Sequence, residues 1–487
     1  MNDYFIGKKI LNGNPELYRI FLNFIKIREV IMNKIKKLLL GIVTTSILIP
    51  FSIANALPPL ASGSDWLRDW SGTTLVLTSH TGPTTDAAKV MAKEFEAITG
   101  AKVEVIDESW TDLLAKHQAD YAAGNGSYDV VTWAYLWGGN YVEGGLVDDM
   151  EPYMSSELAD PNYDMADIPM AVQEVYGRYR LASSPNPDGL WALPYKFDVY
   201  LAMYRTDLFE EAGYDSCPST YEELYEAAGK IKANHPEMDP LAFPMAMGGN
   251  FLSSFMAMNS GYGAGTPDSW TDGNLFPKMH QAPTVEAAKM MKKLMEYMPA
   301  DALDYDFDKA NTAFAQGNAA FTVNWNAYMP YVLDPDSSAV SDKVAFCATP
   351  GGPEGRYSAL GGWVQGISSQ SENKDAAFQL IQYISGKDRG VDFAMNGGSV
   401  ARFSTANDSA VVEKYPFYPL LMDILKGYTG FGVYRPWPEI EKTMETYFHK
   451  VMLGEDPEST LLEGAQQVYV QAQRGGYNPG ATGPKPN

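Results

Sequence analysis

Apolar and β-branched residues follow one another without a break over 74–78 (TLVLT), which predicts a buried strand. A polar loop, Ser79-His80-Thr81-Gly82-Pro83, comes next. Over 86–99 the apolar positions Ala87, Met91, Phe95 and Ile98 recur at helical spacing, and Gly100 ends the helix. The spacing then predicts a strand over 102–106, a helix over 112–123 closed by Gly124-Asn125-Gly126, and a strand over 128–132. Strands alternating with helices predict a parallel sheet with crossover helices. Ligands of such sheets sit beyond the carboxyl ends of the strands. Those ends are Ser79-His80, Asp107-Glu108-Ser109 and Trp133-Ala134-Tyr135.

A second series starts near Leu190. It predicts strands over 199–204, 319–325 and 344–348, with helices between and after them. Thr220 followed by Glu223 is a capping box that opens a helix to about 233. The stretch 284–298 is Met-rich and helical by spacing, and 311–316 is a short helix closed at Gly317. Later helices cover 373–385, 439–452 and 457–473.

The N-terminal pattern is of another kind. Within 32–56, Lys34, Lys36 and Lys37 precede an apolar stretch over 38–53, and Ala54-Asn55-Ala56 is a small-x-small cleavage site. This is the layout of a secretory signal peptide. Residues 1–31 precede a signal that should begin the protein, so Met32 is expected to be the true start. No cysteine lies near the cleavage site, so no lipid anchor is expected, and the Gly/Pro-rich stretch 476–487 is expected to be a flexible tail. The mature protein is expected to be soluble, in the periplasm or outside the cell.

Composition narrows the options. At 487 residues the chain exceeds what one core holds, and 45% hydrophobic residues suffice for two. The net charge of −23 leaves no basic footprint for nucleic acid. Cys217 and Cys347 are too few for a cysteine-cluster metal site, and whether they pair is open. No phosphate-binding loop, nucleophile elbow or zinc-protease motif occurs, so no catalytic residue and no cofactor is assigned. Asp304-x-Asp306-x-Asp308 lacks the glycine and the distal glutamate of a calcium loop and reads as a solvated helix start, not a metal site.

Several stretches, in order, resemble the extracellular solute-binding proteins of ABC importers, family 1, the carbohydrate group that includes maltose-binding protein. They are TLVLTSHTGPTTDAAKVMAKEFEAITGAKVEV, AAGNGSYDVVTWAYLWGGNYVEGGLVDDMEPYM, LWALPYKFDVYLAMYRTDLFEEAGYDSCPSTYEELYEAAGKI, FAQGNAAFTVNW and TPGGPEGRYSALGGWVQGISSQSENKDAAFQLIQYIS. The tail YRPWPEIEKTMETYFHKVMLGEDPESTLLEGAQQVYVQ fits too, so the likeness spans about 73–475. The resemblance implies an α/β, two-lobed, hinged type II periplasmic-binding-protein fold, each lobe a mainly parallel sheet flanked by helices. Lobe one would be 73–195 plus 351–398, and lobe two 199–347 plus 402–475. It implies a monomeric binding protein that takes a small carbohydrate or polyol between the lobes and hands it to ABC permease subunits. Asp198, Trp363 and the GGSVARFST stretch look closest to mannitol and sorbitol binders, whereas Gly361-Gly362 before Trp363 is common in oligosaccharide binders.

Sugars are read by aromatic faces and by side chains that bond vicinal hydroxyls. Trp133, Tyr135 and Trp137 follow the third strand, and at least one of them is expected on ligand, the alternative being a lobe core or its rim. Trp363 and Trp325 are expected there also. Asp198, among apolar neighbours in the hinge strand, binds a hydroxyl or pairs with Lys196 or an arginine. His80 and Glu108 stand at strand ends. Asn250 contacts ligand or caps the apolar helix that follows it. Arg402 and Arg435 lie in loops resembling cleft-lining segments, where an interlobe ion pair is the alternative. Asp129 is read as fixing a strand start. Two further functions share these features: a secreted glycoside hydrolase, which needs two spaced carboxylates, and a carbohydrate sensor. Another solute, such as glycerol phosphate, is the remaining alternative for the ligand.

Overall fold

The computed structural model describes residues 64–179, 184–266, 268–477 and 482–486. The upstream extension, the signal peptide and part of the tail lie outside the described residues.

Strands β1 (Thr74–His80), β2 (Lys102–Glu108) and β3 (Val130–Ala134) pair in parallel, in the order β2-β1-β3. Helices α1 (Pro83–Thr99) and α2 (Trp110–Ala123) make the crossovers. Both helices stop at a glycine in the left-handed region, Gly100 (φ 76°) and Gly124 (φ 67°). Asp129 acts where it was expected to: its carboxylate accepts from Val76 N (2.8 Å) and Ser371 Oγ (2.6 Å), locking the start of β3.

The thirteen-residue strand β4 (Leu193–Arg205) belongs to two sheets. Residues 193–199 pair antiparallel with β7 (Ser358–Ile367), which itself lies antiparallel to β3. Residues 200–205 pair antiparallel with β5 (Phe321–Trp325) and β6 (Val344–Ala348). A mainly parallel sheet therefore holds for β2-β1-β3, while every pairing of β4 is antiparallel. The change of partner falls between Val199 and Tyr200. There Asn326 ties the passing chains together: its Oδ1 accepts from Val199 N (2.6 Å) and its Nδ2 donates to Ser399 Oγ (3.0 Å).

The longer helices after β4 are α3 (Tyr221–Asn234), α4 (Asn250–Asn259), α5 (Ala282–Leu294), α6 (Phe307–Ala315), α7 (Lys374–Ser385), α8 (Trp437–Leu453) and α9 (Pro457–Arg474). Thr220 caps α3, its Oγ1 accepting from Glu223 N (3.1 Å), and the Glu223 carboxylate reaches back to accept from Ser219 N (2.6 Å). Asp306 caps α6 by accepting from Lys309 N (2.8 Å), a structural use of the acidic run. Cys217 and Cys347 are joined in a disulfide that ties β6 to the segment before α3.

Candidate functional site

Two neighbouring cavities open between the β3–β7 edge and the elements around β5 and α6. The larger, about 590 Å³, is bounded by His80–Thr84, Tyr195, Lys196, Asn326–Tyr328, Trp363, Gly397–Ser399 and Tyr415–Tyr418, among others. The smaller, about 300 Å³, is bounded by Trp110, Tyr135, Asp198, Gly248–Asn250, Asp306–Asp308, Trp325, Gly361–Trp363 and Glu441. His80, Lys196, Asp308, Tyr328 and Trp363 border both, so they stand where the two meet. Both volumes suit small-molecule ligands.

The backbone explains how these side chains converge. Trp363 on β7 stands opposite Ala134 on one side and Lys196 on the other, and Asp198 stands opposite Gly361. Trp110 starts α2 directly beyond the carboxyl end of β2. Its ring lies 5.4 Å from Trp363 at 80° and 4.5 Å from Trp137. His80, at the end of β1, stacks on Trp363 with centroids 4.6 Å apart. Trp325 enters from β5 and packs over Gly361, where a Cβ would lie 2.6 Å from its ring. Gly361 is thus the vacancy in β7 that admits an indole.

The polar groups have unequal partners. Asp198 is 5% exposed; its Oδ2 lies 3.2 Å from Lys196 Nζ, while its Oδ1 is buried without a partner among the described residues. Burial raises its pKa above the ordinary carboxylate value, and the Lys196 charge offsets part of that shift. His80 is pushed down to about 4 by burial and by Lys196, so it is a neutral imidazole at pH 7. Tyr135 lines the smaller cavity, but its hydroxyl is committed: it donates to Leu360 O (2.9 Å) and accepts from Phe431 N (2.7 Å). Asn250 lines it too, with Nδ2 on Met247 O (3.0 Å) and Oδ1 on Phe307 N (3.0 Å), so it fixes the starts of α4 and α6.

Of the residues expected on ligand, the structure brings His80, Tyr135, Asp198, Asn250, Trp325 and Trp363 to these cavities. Four others stand elsewhere. Trp133 points the other way from β3, is fully buried, donates its indole N–H to Tyr179 Oη (3.0 Å) and stacks on Tyr141: it is a core residue. Glu108 pairs with Lys116 and borders neither cavity. Arg402 is 1% exposed, donates to Ser385 O and Asp164 O and faces Asp167, a buried structural knot. These bonds hold it beside α7 and not with the second sheet. Arg435 is exposed and borders neither cavity.

Sequence reading missed Trp110, Tyr328, Asp308 and Glu441. Trp110 carried a usable signal, since it directly follows Asp107-Glu108-Ser109, the segment expected at a strand's carboxyl end. Glu441 carried none, because nothing in the sequence places α8 against the Gly248-Gly249 turn.

A sheet-crossing strand with a polar and aromatic gap on either side defines a two-lobed solute-binding protein. The profile of the bacterial extracellular solute-binding protein family matches residues 81–389, and the chain belongs to that family. A solute-binding protein of an ABC transporter from Agrobacterium radiobacter K84, solved in complex with ribitol, is 26% identical and superposes with a TM-score of 0.72, covering 83% of this chain and 99% of its own. A probable amino-acid ABC transporter periplasmic-binding protein of Sinorhizobium fredii is 26% identical over 84% of this chain and 92% of its own. The erythritol/L-threitol-binding protein of Mycolicibacterium smegmatis is 23% identical over 71% and 73%. No helix among the described residues is long and apolar enough to cross a membrane.

Proposed function

We propose that the chain is the substrate-binding component of an ABC importer and captures a sugar or polyol between its lobes outside the inner membrane. The smaller cavity carries this reading. Trp110, Trp325 and Trp363 supply apolar faces, and Asp198 Oδ1 supplies a buried acceptor with no partner. A ring or chain of C–H groups satisfies the former, and a ligand hydroxyl the latter. The ligand-bound relatives support the same class.

In this reading lobe one is 73–195 plus 351–398, lobe two begins with 199–347, and β4 at 199–200 is the crossing about which they close. Ligand touching both lobes favours the closed form by its differential affinity. The closed monomer delivers its ligand to membrane permease subunits, unchanged, after export by the 32–56 signal.

Thermal unfolding with a panel of ribitol, erythritol, D-mannitol, sorbitol, glucose and maltose tests the proposal. A true ligand at a hundred times its dissociation constant stabilises by about 2.7 kcal/mol, several degrees in midpoint. Mass spectrometry of material carried through purification identifies ligands outside the panel. A panel without effect, together with a carried ligand lacking hydroxyls, overturns the sugar-or-polyol reading.

A further inference from the structure

Helix α8 carries two glutamates one turn apart, Glu441 and Glu445, of which only Glu441 borders the smaller cavity. They are not equivalent. Glu445 is 1% exposed and accepts from Gly248 N (2.7 Å) and Gly249 N (2.9 Å), so it holds the turn that precedes α4. Glu441 borders the cavity itself. Its Oε1 lies against Gly249, 3.3 Å from where a Cβ would stand, yet the turn's amides point to Glu445. Glu441 has no hydrogen bond or ion pair among the described residues.

The groups around Glu441 supply no counter-charge. On its own helix Glu445 stands one turn on, Lys442 is exposed to solvent, and His449 is bound to Met245 O (2.8 Å). From the turn before α4 come amides and Asn250. The Tyr135 hydroxyl is already committed, and Asp268 is held by Thr271 and Trp270. From α5, Lys292 is bound to Val451 O, and from α9, Gln471 reaches Glu439. Across the cavity Lys196 is engaged by Asp198; His80, Asp306 and Asp308 complete the border.

We propose that Glu441 reads the ligand in its protonated form, donating a hydrogen bond to a hydroxyl of a neutral sugar or polyol, so that capture fails as the medium turns alkaline. This rests on the sugar-or-polyol reading above. Geometry makes the assignment: Glu445 takes both amides of the turn, and the second carboxyl against that same turn, without cation or amide, is the one held neutral and able to donate. Burial and the neighbouring Glu445 push it up to about 8, in the same sense. Asp198 Oδ1, an acceptor, and Glu441, a donor, border the same cavity and together match the two faces of a hydroxyl.

Calorimetric titration of the full mature chain with the polyol panel, at pH 6.5 and pH 9.5, tests this. Whichever polyol binds is expected to bind at least tenfold more weakly at pH 9.5, with proton uptake on binding at pH 8.5. Glu441→Gln, which keeps a donor, is expected to bind with a flat pH profile, and Glu441→Ala five- to tenfold more weakly at pH 6.5. Ligand-free thermal midpoints provide a second readout. A carboxyl raised in the folded state destabilises as pH rises through about 8, so Glu441→Gln matches the parent near pH 5 and exceeds it at pH 9. A pH-independent affinity in the parent, or an affinity that rises with pH as a cationic ligand would give, overturns the role of Glu441 alone. If no sugar or polyol binds at any pH, the reading of the ligand class falls, and this role with it.

Discussion

Asp198 shows what a single side chain does here. Taking a carboxylate out of water is costly unless its oxygens are bonded, and only one of its two is. In the proposed function the unpartnered Oδ1 is costly until a hydroxyl of the ligand donates to it. Bonds to charged groups contribute about 1.5–3 kcal/mol. Asp198→Ala is therefore expected to weaken sugar binding roughly ten- to hundredfold. Because burial raises its pKa, any stability Asp198 lends is lost as pH rises, so the variant's ligand-free midpoint at pH 8 should not fall below the parent's. A variant that unfolds early, or binds as well as the parent, contradicts this use of Asp198.

Among the elements, strand β7 does most to shape the site. It is buried along its whole length and holds two glycines at its centre for different reasons. Gly361 leaves room for the Trp325 ring, whereas Gly362 has φ of 135° and a Cβ there would collide with the Tyr176 hydroxyl. Gly361→Ala is expected to push Trp325 aside, leave the fold intact and weaken binding tenfold or more. Gly362→Ala is expected to lower stability by several kcal/mol, since strain and clash add. Denaturation and titration of both variants separate the two. The same strand shows where sequence reading stops. Strands β1, β5 and β6 were legible because short apolar runs stand between turn residues, α1 because its apolar stripe ends at Gly100, and α3 because its stripe starts at the Thr220 cap. Strand β7 shows no alternation, as both faces are covered, and its glycines look like a loop. Trp133 was misplaced for a related reason: being near a strand end says nothing about which face a side chain takes. Trp363 and Asp198 were legible by resemblance, and Glu441 was not, because its place depends on a helix far along the chain.

At the scale of the whole molecule the chain must be tied firmly within each half yet left free between them. The Cys217–Cys347 disulfide belongs to the first requirement. It closes a loop with a sequence separation of 130, and neither cysteine borders a cavity. Closing a loop of that length limits the unfolded chain and stabilises by roughly 5 kcal/mol on the chain-entropy account. Partners of both cysteines, β6 and the α3 start, lie with the second half of β4, so the bond does not span the crossing at 199–200. The doubly substituted chain, Cys217→Ser with Cys347→Ser, is expected to unfold at a clearly lower denaturant midpoint. Its ligand affinity at 25 °C should stay within a factor of about two of the parent's, because lobe closure is set by the continuous β4 strand and the Asn326 ties. The ligand-induced decrease in radius of gyration, read by small-angle scattering, should likewise be unchanged. A loss of that decrease with the disulfide removed would mean that the bond restrains the hinge, and that the halves are not mechanically separate at β4.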